Sequence, residues 1–141
     1  MILITGLNGE MGSALVQRLH DLGKQNIIGL DIKPVKESIK PLLSKNYIGD
    51  IKDKSLINKI FTENRINEVY HLAAVLSTKA ESIPFLSHQI NVDGFLNLLE
   101  EIQNYKSEVK FFFASSIAVY HLDNDKNIKI SEDDFCNPSN M

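Results

Sequence analysis

The sequence predicts an α/β protein in which helices cover both faces of a parallel sheet. Three observations carry that prediction. Short apolar runs alternate along the chain with longer segments whose apolar residues recur every three or four positions. The first two runs, Ile2-Leu3-Ile4 and the one around Ile27-Ile28, are continuously apolar, as strands buried on both faces must be. Glycines cluster at Gly6, Gly9 and Gly12, between the first run and the first helical segment. Strands separated by helices pair in parallel, because each helix carries the chain back to the sheet's starting edge.

The elements follow in order. Residues 2–4 make the first strand. The first helix carries Met11, Leu15, Leu19 and Leu22 at spacings of four and three, and stops near Gly23. Residues 26–32 make the second strand. The lysine-rich stretch 34–45 holds Pro34 and Pro41 and reads as loop with one helical turn. A short third strand at 47–48 ends at Gly49-Asp50. Residues 54–64 put Leu56, Ile57, Ile60 and Phe61 on one helical face, with Asp53 as the helix cap. Residues 68–72 make the fourth strand and 84–105 the longest helix, carrying Phe85, Leu86, Ile90, Phe95, Leu98, Leu99 and Ile102. Residues 109–114 make a fifth strand containing Phe111, Phe112 and Phe113. From Asp123 the chain turns polar and acidic, and no internal repeat or second apolar domain is visible. Right-handed crossovers then give the strand order 3-2-1-4-5, a doubly wound Rossmann-type sheet.

Composition narrows the function classes. At 141 residues the chain has the length of one domain, and 43% hydrophobic residues suit a packed core rather than a disordered or fibrous chain. Fifteen basic against eighteen acidic residues leave a net charge of −3, and Arg18 and Arg65 are the only arginines. Nucleic acid is excluded as a main partner, because phosphate binding draws on a basic, arginine-bearing surface. The single cysteine, Cys136, has no internal disulfide partner and fits a reducing compartment. No apolar run reaches the ~18–20 residues of a membrane span, and the first residues lack the basic start of a signal peptide. The expectation is a cytoplasmic chain without membrane attachment.

The chemistry concentrates in the turn Gly6-Leu7-Asn8-Gly9-Glu10-Met11-Gly12. Glycines there let the chain turn at positive φ, let backbone approach a pyrophosphate, and let the helix pack close to the strand. The helix start adds unpaired N–H groups and a partial positive charge. Gly6, Asn8, Gly9, Glu10, Met11 and Gly12 are therefore the candidate phosphate-binding residues. Asp31, nineteen residues after Gly12, ends the second strand beside Ile32. Its carboxylate either accepts from ribose hydroxyls and repels a 2′-phosphate, favouring NAD over NADP, or caps a turn. Lys33 nearby would soften the preference.

The spacing Gly-x-x-Gly-x-x-Gly behind Thr5 resembles the extended short-chain dehydrogenase/reductase family, the NAD-dependent epimerases and dehydratases. Further motifs follow in that family's order: Gly49-Asp50-Ile51, His71-Leu72-Ala73-Ala74, Asn91 within Ile90-Asn91-Val92-Asp93-Gly94, and Ala114-Ser115-Ser116-Ile117-Ala118-Val119-Tyr120. The resemblance implies that Asp50 and Ile51 meet the adenine, that Leu72, Ala73, Ala74 and Asn91 line the cofactor, and that Ser116 is the catalytic serine. Within the family, His71 to Ser77 and Ser115 to Val119 are most similar to the short-chain type of L-threonine 3-dehydrogenase, with nucleotide-sugar 4-epimerases or dehydratases as the alternative. The threonine reading implies that Ser116 meets the substrate oxygen, that Ser77 or Thr78 positions the amino acid, and that a full-length form is a homodimer. His121 departs from the glycine common in relatives.

The family's Tyr-x-x-x-Lys pair is absent. Tyr47, Tyr70, Tyr105 and Tyr120 are followed four positions on by Ile51, Ala74, Val109 and Asn124. The resemblance thus covers a front portion of the family's length, a truncated NAD(P)-binding domain over 1–141 without the substrate domain. Inactivity as it stands is the expectation, and a non-catalytic dinucleotide-binding remnant is a further reading. The fifth strand is expected to be an edge with part of its phenylalanine triplet exposed, which favours self-association or marginal stability. His20, His71, His88 and His121 share no metal-ligand spacing, so no metal site is expected. Glu132-Asp133-Asp134 reads as a solvated turn.

Overall fold

Alternate residues of a strand point to opposite faces, so a run of isoleucine and leucine must find apolar partners on both. The computed structural model, which describes residues 1–116, 119–120, 129–136 and 138, shows that arrangement. Strands β1 (Ile2–Thr5), β2 (Ile27–Asp31), β3 (Lys45–Ile48), β4 (Glu68–His71) and β5 (Lys110–Phe113) form one parallel sheet ordered β3-β2-β1-β4-β5. This is the predicted order. The helices are α1 (Glu10–Asp21), α2 (Lys54–Glu63), α3 (Ser77–Ala80), α4 (Pro84–His88) and α5 (Gly94–Asn104), with a 3₁₀ turn at Lys40–Leu42.

The core divides at the sheet. On one side Ile2, Ile4 and Ile27 pack with Leu7, Val16 and Leu19, under α1. On the other, Leu3, Ile28, Leu30 and Val69 pack with Ile57, Ile60, Phe61 and Leu98, under α2 and α5. Asp53 caps α2 as expected, its carboxylate accepting from the Leu56 N–H at 3.1 Å.

Three local readings are corrected. The buried stripe of α1 is Gly12, Val16 and Leu19, whereas Met11 and Leu22 are 70% and 58% exposed. The helix meets the sheet through glycine backbone at its start, and a stripe drawn through apolar residues alone is rotated by about one position. The helix over 84–105 is interrupted: α4 passes through a π-helical segment, Gln89–Asp93, into α5. A short helix, α3, stands where sequence patterning signalled none.

In β5, Phe111 is half-buried, and Phe112 and Phe113 are both about half exposed. Since they point to opposite faces, aromatic surface is open on both sides of this strand. Beyond it, Tyr120 and Cys136 form an isolated antiparallel bridge, and Cys136 is a free, exposed thiol. Among the described residues no helix is long and apolar enough to cross a membrane. Ile117, Ala118 and His121 lie outside the described residues.

Candidate functional site

The carboxyl ends of β1, β2 and β4 surround a cleft of about 460 Å³. Its floor is the turn after β1. Gly6 has φ +70°, and a Cβ there would stand 2.6 Å from the Leu72 carbonyl oxygen and 2.7 Å from the Ala73 nitrogen. A Cβ on Gly12 would collide with the Gly6 carbonyl oxygen. Backbone therefore lies directly on backbone where strand, turn and helix meet. The Gly9 carbonyl accepts from the Ser13 N–H at 3.0 Å and opens α1, which no side chain caps. The first N–H groups of that helix thus have no intrahelical acceptor, and its positive dipole end stands at the glycine turn. Gly6, Asn8 and Gly9 line the cleft; Glu10 and Met11 are exposed in the first turn of α1, outside its wall.

Asp31 and Asn8 join the turns that follow β1 and β2. The Asp31 carboxylate accepts from the Asn8 N–H at 2.8 Å and from the Lys33 N–H at 3.0 Å. The Asn8 amide donates to the Lys33 and Pro34 carbonyls, at 3.1 and 3.0 Å, and accepts from the Lys36 N–H at 3.0 Å. Asp31 is thus a turn cap. A carboxylate has about four lone-pair sites, so two such bonds leave acceptor capacity for hydroxyls entering the cleft. Ile32 is exposed beside it, also in the wall.

Asp50 and Ile51 close a second side. The Asp50 carboxylate accepts from the Lys52 N–H at 2.9 Å and pairs with the Lys52 ammonium at 3.6 Å. Ile51 is buried against Gly94 of α5. Asn97, buried in the same helix, donates to the Lys52 carbonyl at 3.1 Å and the Ile51 carbonyl at 3.4 Å. Sequence reading missed Asn97. Its signal was a polar residue one position before the buried Leu98.

Leu72, Ala73 and Ala74 form the third wall. Asn91, inside the π-helical segment, accepts from the Val75 N–H at 2.8 Å and donates to the Val75 carbonyl at 3.0 Å. It holds the wall by both backbone polar groups of one residue, as a neighbouring strand would. Extra-wide helical turns commonly mark functional sites, and here one aims the asparagine. At the root of the wall, Thr5 Oγ1 lies 2.7 Å from Nδ1 of His71 and accepts from the Leu72 and Ala73 N–H groups at 3.3 Å. His71 is buried, and desolvation lowers its pKa to about 4. This pair also escaped sequence reading, because its partners stand 66 residues apart.

The remaining candidates lie elsewhere. Ser116, after β5, and Thr78, in α3, are exposed and line none of the cleft. Ser77 opens α3, and its side chain lies outside the described ones. No group of metal-ligating side chains occurs among the described residues.

A dinucleotide fits this arrangement: an uncapped helix start over glycine backbone suits phosphates, and a carboxylate with spare acceptor sites suits ribose hydroxyls. The chain is 38% identical over 143 residues to the UDP-glucose 4-epimerase of Haemophilus influenzae, an alignment covering 94% of this chain and 40% of that protein. A monomeric L-threonine 3-dehydrogenase from a metagenome is similar in structure, with a TM-score of 0.76 and 38% identity, over 85% of this chain and 37% of that one. The Thermus thermophilus UDP-glucose 4-epimerase, solved in complex with NAD, gives a TM-score of 0.84 at 28% identity, over 99% of this chain and 45% of that one. This chain therefore spans less than half the length of each. The NAD dependent epimerase/dehydratase family matches residues 2–141, from the first buried strand through the whole cleft, and the chain belongs to that family.

Proposed function

We propose that this chain is the dinucleotide-binding front portion of an oxidoreductase of the L-threonine 3-dehydrogenase type. The observation that carries the dinucleotide part of the reading is the cleft at the ends of β1, β2 and β4, where Gly6, Gly9 and Gly12 clear a backbone cradle beside the α1 start; the 38% identity to the metagenomic L-threonine 3-dehydrogenase supports the threonine type. Gly6, Asn8, Gly9, Glu10, Met11 and Gly12 serve the phosphates. Asp31 and Ile32 serve the adenosine ribose, and Asp50 and Ile51 the adenine. Leu72, Ala73, Ala74 and Asn91 form the inner wall, Ser116 meets the reacting hydroxyl, and Ser77 and Thr78 position substrate. When bound, NAD supplies the acceptor for a hydride from a substrate carbon. The chain's own contribution is to bind, orient and exclude water. None of its four tyrosines heads a Tyr-x-x-x-Lys pair, so these 141 residues do not supply that base.

NAD is proposed over NADP because the Asp31 carboxylate would repel a 2′-phosphate. The proposed setting is the cytoplasm, with no nucleic-acid or membrane partner, and a homodimer is proposed for a full-length form. A nucleotide-sugar 4-epimerase is a second reading, supported by the 38% identity to the Haemophilus influenzae enzyme. Assays of the native-length protein discriminate the two. Threonine-dependent reduction of NAD supports the first reading. Interconversion of UDP-sugars without net NAD reduction replaces it with the second.

A further inference from the structure

Thr5 and His71 stand opposite each other at the ends of β1 and β4, and their bond is buried. A hydroxyl has one proton and two lone pairs. The Ala73 N–H and the Leu72 N–H, the latter shared with the Thr5 carbonyl, face the Thr5 lone pairs, so the Thr5 proton goes to Nδ1 of His71. Nδ1 must then be bare, which assigns the ring proton to Nε2. Leu72 and Ala73 are also the residues whose backbone lies against Gly6, with no room for a Cβ between. The Thr5 hydroxyl thus joins the Leu72 N–H bond to the Thr5 carbonyl, at 3.2 Å, in setting how the inner wall of the cleft meets its floor.

We propose that His71 is a positioning residue for dinucleotide binding: by accepting the Thr5 proton it fixes the hydroxyl that holds the Leu72–Ala73 wall against the Gly6 turn. The inference rests on the reading of this cleft as a dinucleotide site. The ring's surroundings suit such a role. Thr5 faces it from β1, Phe111 and Phe113 from β5, and Phe95 from α5, with ring centroids 6.0 to 6.4 Å away; none of these groups is titratable. Burial alone holds the ring neutral at physiological pH.

The test is NAD titration of the native-length protein at neutral pH, with folding of each variant checked by circular dichroism. His71→Asn can keep an acceptor near the Nδ1 position and is expected to bind as the wild type does. His71→Leu fills the aromatic pocket without an acceptor and is expected to bind about tenfold more weakly. Thr5→Val should lose a similar factor. The double variant should be no weaker than Thr5→Val alone, because His71 acts through Thr5. Wild-type affinity in His71→Leu, or losses that multiply in the double variant, would overturn the positioning role. No NAD binding by the wild type would overturn the cleft reading, and this inference with it. Should His71→Leu fail to fold, the ¹⁵N shifts of His71 in the wild type still decide: a proton on Nδ1 contradicts the proposal.

Discussion

At His71, burial favours the neutral ring, the state in which Nδ1 can accept from Thr5. The folded-state pKa of about 4 lies below the ordinary 6.5, so an unfolded chain takes up the proton first as pH falls. Stability from this site is complete above pH 6.5, declines as pH falls from there to 4, and levels off below. The total loss is about 3 kcal/mol. Denaturant unfolding between pH 7 and pH 4 should show this decline in the wild type, and His71→Leu should lack this component. A second prediction concerns Asp31. Asp31→Asn removes the negative charge while keeping one acceptor, so the ratio of NAD to NADP affinity should fall by about tenfold in parallel titrations. An unchanged ratio would remove Asp31 from cofactor choice. Asp31 was legible in sequence because the spacing from the glycine turn marks it. Thr5 and His71 were not, because only the parallel register of β1 and β4 makes them neighbours.

Among the elements, α1 and the run from α4 to α5 show how small residues govern the site. Gly12 lets α1 sit on the Gly6 and Leu7 backbone, so Gly12→Ala should cost about 1–3 kcal/mol and lower the thermal midpoint. The same fact explains why the apolar pattern of α1 misled: an apolar count gives glycine no weight, yet glycine is the contact. The strands were easier. Ile2 to Ile4 and Ile27 to Leu30 are buried on both faces, and continuous apolar runs of that length have few other uses. The π-helical segment left no such trace, since the contact it serves is tertiary: Asn91 bonds both polar groups of Val75. Asn91→Ala should release that residue, at about 1–2 kcal/mol, and speed hydrogen exchange at the Val75 amide while the β1 amides stay protected.

For the whole molecule, the exposed apolar surface points to assembly. Phe85, Leu96, Phe112 and Phe113 are each half or more exposed, the first two along the α4–α5 run and the others on β5. Water-exposed aromatic and leucine side chains on this scale favour association. Sedimentation of the native-length protein is expected to show a dimer that Phe85→Ser combined with Leu96→Ser weakens; a monomer throughout would oppose the proposed homodimer. The central claim concerns the cleft itself, where floor, ribose side and inner wall come from three strand ends brought together by the order β3-β2-β1-β4-β5. Calorimetric titration of the native-length protein with NAD tests it most directly. Saturable binding with one dinucleotide per chain, weakened by Gly12→Ala or Asp31→Ala, is the predicted result. Absence of binding by a folded wild-type protein would contradict the account.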